Sequence, residues 1–182
     1  MYKKGTIGKI DPKFTSKILR TVPDNKFLFA TDVGAYTGDF ANSLTDFVES
    51  LNNISLQSIE FHLYPRPPDF ERWIRETIGD ESLADKISKI NKSITGEELR
   101  KTLQNIVKNR IHYLKVTAMT KVKGIGPKWS KRLIAADINH VDNLANYHAK
   151  DLAKKIGVSK KTATKWIENA KALLHQGALT RG

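Results

Sequence analysis

The chain has 182 residues, of which 40% are hydrophobic and 27% charged, a balance typical of a folded protein rather than a disordered one. It contains no cysteine, which excludes disulfides, thiol catalysis and metal sites built on cysteine. No apolar stretch approaches the roughly 20 residues of a membrane span, and the N-terminus lacks the apolar region of a signal peptide, so we expect a cytoplasmic protein with no membrane contact.

The net charge of +12 is unevenly distributed along the chain. Residues 31–90 carry 5 basic and 11 acidic side chains, whereas residues 91–182 carry 19 basic and 6 acidic ones. An acidic middle followed by a basic C-terminal part predicts two domains with different partners. The alternative is that the lysines only solvate helix faces, and it is weaker where they cluster beside the motifs described below.

The N-terminal part predicts a mixture of strands and helices. Residues 1–26 form a basic, irregular lead-in with a short helix at residues 14–20. A buried strand is predicted at Phe27–Ala30, and residues 31–38 are rich in turn formers. Ser43 with Asp46 has the pattern of a capping box, which predicts a helix with one apolar face made of Leu44, Phe47, Val48 and Leu51.

Residues 58–64 alternate between apolar and polar side chains, so they predict a second strand that ends at the prolines at 65, 67 and 68. Asp69 is then predicted to cap a helix that ends at Gly79. The side chains of this helix that face the core are predicted to be Phe70, Trp73 and Ile74. A further helix follows, with Leu83, Ile87 and Ile90 on one face. Thr95 with Glu98 predicts the start of a long helix that extends to about residue 116.

Residues 121–126, which we call the first hairpin, contain two glycines around one apolar residue. Gly124 and Gly126 have no Cβ, so they allow a tight turn whose N–H groups point outward. Pro127 suits the first position of a helix, where an N–H group would have no partner. The free N–H groups and the positive end of that helix predict an anion site suited to phosphate.

The same design returns 33 residues after Gly124, at Gly157. We call residues 157–159 the second hairpin. Ala163 then takes the place of Ser130, and Trp166 takes the place of Leu133. The small residue predicts close approach of two helices, and the large apolar residue one turn later predicts a place in the core.

These two hairpins in register resemble the tandem helix-hairpin-helix domain of DNA repair and recombination proteins, including the N-terminal domain of archaeal recombinases. The resemblance covers about residues 117–177 and implies sequence-independent binding of duplex or branched DNA through its phosphates. The second hairpin has Ser159 where the pattern has a glycine, so we expect closer phosphate contact at the first. The predicted DNA-binding residues are Lys121, Lys123, Gly124, Ile125, Gly126, Lys128, Lys131, Arg132, Gly157, Val158, Ser159, Lys160, Lys161 and Lys165.

Residues 27–115 resemble an uncharacterised family of unknown function that is known mainly from archaea. The similarity lies in Thr-Asp-Val-Gly-Ala-Tyr-Thr-Gly at 31–38, Ser-Ile-Glu-Phe-His-Leu at 58–63 and Asp-Phe-Glu-Arg-Trp-Ile-Arg at 69–75. Since no activity is established for that family, the resemblance implies none here.

A catalytic site has little support in the sequence. Glu60 and His62 would lie on one face of the predicted strand, where Asp32, Asp69 and Glu71 could join them around a metal ion. The alternative is a hydrogen-bonded histidine on a solvated sheet face. No nucleotide P-loop and no Gly-x-Ser-x-Gly motif is present. We therefore predict no catalytic residues, no metal site and no cofactor.

Together these patterns predict an α+β N-terminal domain with a small sheet, followed by an all-α tandem helix-hairpin-helix domain. The predicted boundaries are a lead-in at 1–26, the α+β domain at 27–94, a connecting helix at 95–116, the tandem domain at 117–177 and a tail at 178–182. The favoured function is sequence-independent DNA binding in repair, recombination or genome maintenance, with a protein partner for the N-terminal domain. The alternatives are a protein-docking adaptor and a DNA-processing enzyme with a metal site in the acidic half.

Overall fold

The computed structural model describes residues 10–64 and 68–176. The first nine residues of the predicted lead-in, the prolines at 65 and 67 and the predicted tail therefore lie outside the described residues. The chain divides into two compact units. We call Lys17–Ile111 the sheet unit, and Met1–Ser16 together with His112–Gly182 the hairpin unit.

A two-stranded antiparallel sheet gives the sheet unit its name. Strand β1, Phe27–Ala30, lies where it was predicted, and strand β2, Tyr36–Ala41, pairs with it. The predicted turn at residues 31–38 is therefore too long. The turn closes early because Gly34 adopts the left-handed region, with φ of 77°, and the N–H of Ala35 donates to Asp32 O at 3.0 Å. Since all of β2 except its last residue is exposed, it has no buried face for a pattern to reveal.

Helices make up most of the described chain up to residue 119. Short helical segments occur at α1, Pro12–Ile18, and at a 3-10 turn, Pro23–Asn25. The longer elements are α2, Leu44–Ser50; α3, Leu56–Leu63; α4, Asp69–Arg72, which continues as a π-helical turn at Trp73–Ile78; α5, Glu81–Ser88; and α6, Gly96–Met119.

Helix α2 begins as predicted. The Oγ of Ser43 accepts the N–H of Asp46 at 3.1 Å, and the carboxylate of Asp46 accepts the N–H of Asn42 at 3.1 Å. These two bonds satisfy N–H groups that a helix start would otherwise leave without partners.

The strand predicted at residues 58–64 is wrong, because helix α3 occupies this segment. The Oγ of Ser55 accepts the N–H of Ser58 at 3.1 Å and starts the helix. Its buried residues Ile59, His62 and Leu63 are spaced three and four apart, as one face of a helix requires. The alternation of Ile59, Phe61 and Leu63 fitted a strand equally well, so the pattern alone was ambiguous.

The predicted cap at Asp69 is also wrong, since Pro68 occupies the N-cap position of α4. Asp69 instead lies in the first turn, where its carboxylate accepts hydrogen bonds from His62 and Arg72 at 3.0 and 2.6 Å. The predicted end at Gly79 is correct. This glycine has φ of 86°, and its N–H donates to Ile74 O at 2.9 Å.

The core of the sheet unit is aromatic. Phe27 lies at the centre, with ring centroids 5.1 Å from Phe29, 5.1 Å from Phe70 and 5.6 Å from Trp73. A buried ion pair lies in the same unit: the Arg110 guanidinium donates to both carboxylate oxygens of Asp80, at 2.8 and 2.9 Å. Only 8% and 1% of these two side chains are exposed, so the pair is desolvated and depends on both partners being present.

The described part of the hairpin unit contains helices joined by turns, and no strand. The end of α6 and helix α7, Pro127–Ala135, flank the first hairpin, whereas α9, Ala149–Ile156, and α10, Lys160–Gln176, flank the second. The short helix α8, Val141–Ala145, joins the two repeats. Ser130 and Ala163 are fully buried, as the predicted close helix contacts require. The fold class is thus as predicted, with a small sheet in the N-terminal part and a helical C-terminal part.

Candidate nucleic-acid interface

The first hairpin has the backbone geometry of a tight turn followed directly by a helix. Gly124 has φ of 90°, in the left-handed region that favours glycine, and the N–H of Ile125 closes the turn on Val122 O at 3.0 Å. Gly126 is extended and serves as the N-cap of α7, and Pro127 takes the first helical position as predicted. A Cβ placed on Gly126 would meet nothing within 4 Å, so this backbone is open to an approaching ligand.

Several backbone donors remain free at this hairpin. The N–H groups of Gly124, Gly126, Lys128 and Trp129 have no hydrogen-bond partner among the described residues. Such groups at a helix start carry partial positive charge and favour an anion. Three of the four belong to the helix start itself, and Gly124 adds a donor from the turn. The backbone alone therefore offers a small anion site.

Two side chains of α10 hold the first hairpin in place. Trp166 donates its indole N–H to Gly124 O at 3.1 Å, and Asn169 donates from Nδ2 to Lys123 O at 2.7 Å. In a trans peptide the C=O and N–H groups point in opposite directions, so fixing Lys123 O on the α10 side turns the N–H of Gly124 away from α10. A Cβ on Gly124 would lie 3.2 Å from Trp166 Nε1, so this contact also requires a glycine.

The second hairpin repeats the turn but uses up more of its donors. Gly157 ends α9 with φ of 73°, and its N–H and that of Val158 both donate to Ala153 O, at 2.9 and 3.1 Å. The Oγ of Ser159 accepts the N–H of Thr162 at 3.1 Å, which occupies one of the first N–H groups of α10. Fewer backbone donors are thus left for a phosphate than at the first hairpin.

The predicted lysines and arginine surround both hairpins as exposed side chains. None of these eight cations forms an ion pair with a carboxylate in the described ranges. Lys160, Lys161 and Lys165 also line a cleft of about 570 Å³ on α10. The two apolar hairpin residues lie on the inner side: Ile125 is buried and Val158 is partly buried against the same core.

These two side chains anchor the hairpins to the core, whereas the lysines and the arginine face the solvent.

The tryptophans of the hairpin unit pack together. Trp166 is buried, as predicted for a core position, and its ring centroid lies 5.3 Å from that of Trp129. Trp129 is partly buried against the core, and the Arg132 guanidinium lies over its ring at 5.5 Å. Sequence reasoning missed Asn169 and the orientation of Arg132, because both depend on contacts between the two repeats.

The five residues considered for a metal site in the sheet unit do not form a group that could bind a metal ion among the described residues. Nε2 of His62 accepts the N–H of Ala30 at 2.8 Å, so its proton resides on Nδ1, which donates to Asp69 at 3.0 Å. Both ring nitrogens are therefore engaged in holding β1, α3 and α4 together. Glu60 and His62 no longer share a face, since they are two positions apart on a helix. The described ranges contain no group of three or more residues able to hold a metal ion.

Burial lowers the pKa of His62 below its ordinary value of 6.5, although the hydrogen bond and negative charge of Asp69 act in the opposite direction. The neutral ring is the form that can accept the N–H of Ala30. His62 is thus a structural residue of the sheet unit.

Two family models match the chain, and their matches overlap at residues 116–124. Residues 116–176 match the family described as SAM-like helix-hairpin-helix tandem, a domain type that fits nucleic-acid binding in general. No curated protein and no solved structure matched the chain. Across the described residues, no helix has both the length and the apolar character needed to span a bilayer. Residues 24–124 match the family of unknown function DUF5752, and because this match covers more than half of the sequence, the chain belongs to that family.

Proposed function

We propose that the hairpin unit binds DNA, duplex or branched, through the backbone phosphates and without reading the sequence. The observation that carries this proposal is the first hairpin, where free N–H groups at the start of α7 lie among exposed lysines that have no described acidic partner. Backbone N–H groups and lysines suit phosphate oxygens, and such contacts position a protein on DNA without reading bases. The fourteen residues named from the sequence are proposed as the binding residues, with Ile125 and Val158 contributing by packing the two hairpins on the core.

The matched tandem domain supports this proposal at the level of nucleic-acid binding. A role in repair, recombination or genome maintenance is part of the proposal, and so are the domain boundaries at residues 27, 95 and 117. Limited proteolysis of the full chain tests the boundaries at 27 and 95, which lie beside exposed connecting residues, whereas the boundary at 117 lies within α6.

Salt dependence of DNA binding by the full chain is the direct test. Two hairpins and their flanking lysines can neutralise about four to six phosphates, so log affinity should fall against log salt with a slope of about −4 to −5. Duplexes of unrelated sequence should bind within a few-fold of one another. A shallow slope, or strong preference for one sequence, would count against the proposal. Forked and single-stranded DNA in the same series identify the preferred form.

If DNA binding did not depend on salt, the alternative function, a protein-docking adaptor, would be favoured.

A separate observation favours a protein partner for the sheet unit. Four large apolar side chains on or between β1 and β2 are exposed: Leu28, Val33, Tyr36 and Phe40. Three of them also line a cleft of about 490 Å³ beside His62. Leu28 and Phe40 are directly opposite each other in the sheet, and exposed apolar side chains grouped in this way favour an interaction site.

Sedimentation of the full chain at rising concentration tests first whether that partner is a second copy. The matched variant carries Tyr36→Glu and Phe40→Glu, both on the exposed strand β2. Association that the double variant abolishes would support the proposal. A monomer at every concentration would exclude a second copy as the partner.

A further inference from the structure

We propose that Arg132 of the first repeat binds a phosphate at the second hairpin, where its guanidinium adds a charged donor to the N–H groups that the turn leaves free. This inference rests on the proposed function. One phosphate is then held by backbone N–H groups of the first hairpin, and another is held at the second hairpin by the Arg132 guanidinium together with the N–H groups that are free there.

The position of Arg132 carries the inference. Although Arg132 lies on α7, its Nη2 would be only 3.2 Å from a Cβ added to Gly157. The guanidinium therefore lies directly beside the backbone of the second hairpin. Gly157 has φ of 73° and no Cβ, which allows the guanidinium to approach the turn this closely, so one phosphate outside the turn can contact both.

Trp129 orients the guanidinium. The Arg132 guanidinium lies over the Trp129 ring at 5.5 Å, within the range of a cation–π contact. Trp129 in turn packs on the buried Trp166, with ring centroids 5.3 Å apart and planes at 60°. The stack thus rests on the hydrophobic core, which restricts an otherwise flexible side chain and lowers the entropy lost on binding.

The donors of Arg132 are available. The guanidinium makes no hydrogen bond or ion pair with any residue in the described ranges, and its side chain is exposed. A guanidinium presents five N–H groups in a planar fork that fits two phosphate oxygens at once. At the second hairpin the N–H groups of Gly157, Val158 and Thr162 are already engaged, so Arg132 adds to the N–H groups that remain at Ser159, Lys160 and Lys161.

The variant that tests the inference is Arg132→Ala, with Lys131→Ala as the matched control. Lys131 is the adjacent exposed cation on α7, and the same charge is removed in both. Arg132→Ala should weaken binding of a duplex by about tenfold, against about twofold to threefold for Lys131→Ala, the scale expected of a charge-assisted contact and of a solvated charge respectively. Arg132→Lys should restore only part of the loss, since an ammonium lacks the fork.

Double variants show at which of the two hairpins Arg132 acts. Arg132→Ala should be non-additive with Ser159→Asp, which acts at the second hairpin, and additive with Gly126→Asp, which acts at the first. Equal losses for Arg132→Ala and Lys131→Ala, or coupling to Gly126→Asp alone, would overturn the inference while leaving DNA binding intact. If instead the parent chain itself shows no salt-dependent binding, the proposed function fails first. Circular dichroism confirms that each variant remains helical.

Discussion

The two units of this chain use their charged side chains in opposite ways. In the sheet unit, several charges are paired: Asp80 with Arg110, Asp69 with Arg72, Arg75 with both Glu71 and Asp85, and Glu97 with Arg100. In the hairpin unit, the described lysines and arginine around the two hairpins have no carboxylate partner. The comparison teaches that net charge alone does not indicate a binding surface. What matters is whether the protein itself already neutralises the charge.

The largest effect we expect is on the stability of the sheet unit. Asp80→Ala removes the carboxylate to which buried Arg110 donates two hydrogen bonds, and this should cost about 3–5 kcal/mol of the free energy of unfolding. Glu97→Ala is the control. Glu97 forms an ion pair with Arg100, but its side chain is exposed to solvent, so this pair should contribute less than about 1 kcal/mol to the free energy of unfolding. Urea denaturation measures both. Similar losses would show that the buried pair is no more important than a surface one.

The next effect is on DNA affinity and concerns the hairpin unit alone. Gly126→Asp adds a side chain and a negative charge where a phosphate must approach, and should cost about 2–3 kcal/mol, which is about thirtyfold to one hundredfold in affinity. Ser159→Asp should cost less, because the second hairpin offers fewer free N–H groups. Gel-shift titration of the folded variants measures this ranking. If Gly126→Asp bound as tightly as the parent, the first hairpin would not be the binding site.

A smaller loss should follow from Asn169→Ala, which releases Lys123 O without changing the charge. The expected cost is about 0.5–1.5 kcal/mol, the scale of one hydrogen bond, with the salt slope unchanged. Asn143→Ala, an exposed asparagine on α8, is the control and should bind as the parent does. A reduced slope in Asn169→Ala would mean that the residue acts on charge rather than on the orientation of Gly124.

Single lysine variants should have a modest effect of a different kind. Lys128→Ala or Lys161→Ala should each weaken binding slightly and lower the magnitude of the salt slope by about one unit, because one fewer counterion is released. Their melting temperatures should match that of the parent, since neither lysine forms an ion pair with a described residue. An unchanged slope for both would place the DNA elsewhere on the molecule.

The last effect is a dependence of stability on pH. Because burial lowers the pKa of His62 in the folded chain, the unfolded chain binds more protons as the pH falls below about 6.5, and the free energy of unfolding should fall with it. Burial also lowers the pKa of His140, in the hairpin unit, so two histidines contribute. His62→Gln should therefore remove only part of the dependence between pH 7 and pH 5. A variant with the full dependence of the parent would rule out a contribution from His62.

Local chemistry made several features predictable from the sequence. Phe27–Ala30, the cap at Ser43, the helix end at Gly79 and the two hairpin turns depend on residues near in sequence, and the structure has them as predicted. Helix α3 was missed because apolar residues at 59, 61 and 63 fit a strand, while 59, 62 and 63 fit a helix. The cap at Ser55 is a local signal for the helix, whereas the burial of His62 depends on its bonds to Asp69, seven residues away, and to Ala30, 32 residues away.

The same limit applies to the candidate site. The glycines and lysines of the hairpins could be read directly, because the turn requires glycine and the charge is visible in the sequence. The roles of Trp166, Asn169 and Arg132 could not, since each acts on the hairpin of the other repeat. A repeat pattern aligns equivalent positions but does not show which side chains cross from one copy to the other.

This crossing of side chains has a consequence for protein engineering. Trp166 and Asn169 of the second repeat hold Lys123 and Gly124 of the first, and Arg132 of the first repeat lies beside Gly157 of the second. If one helix-hairpin-helix copy were grafted into another scaffold, its turn would therefore lack the side chains of the other copy that contact it. The smallest transplantable module is the pair, and we expect its two halves to change together whenever either is redesigned.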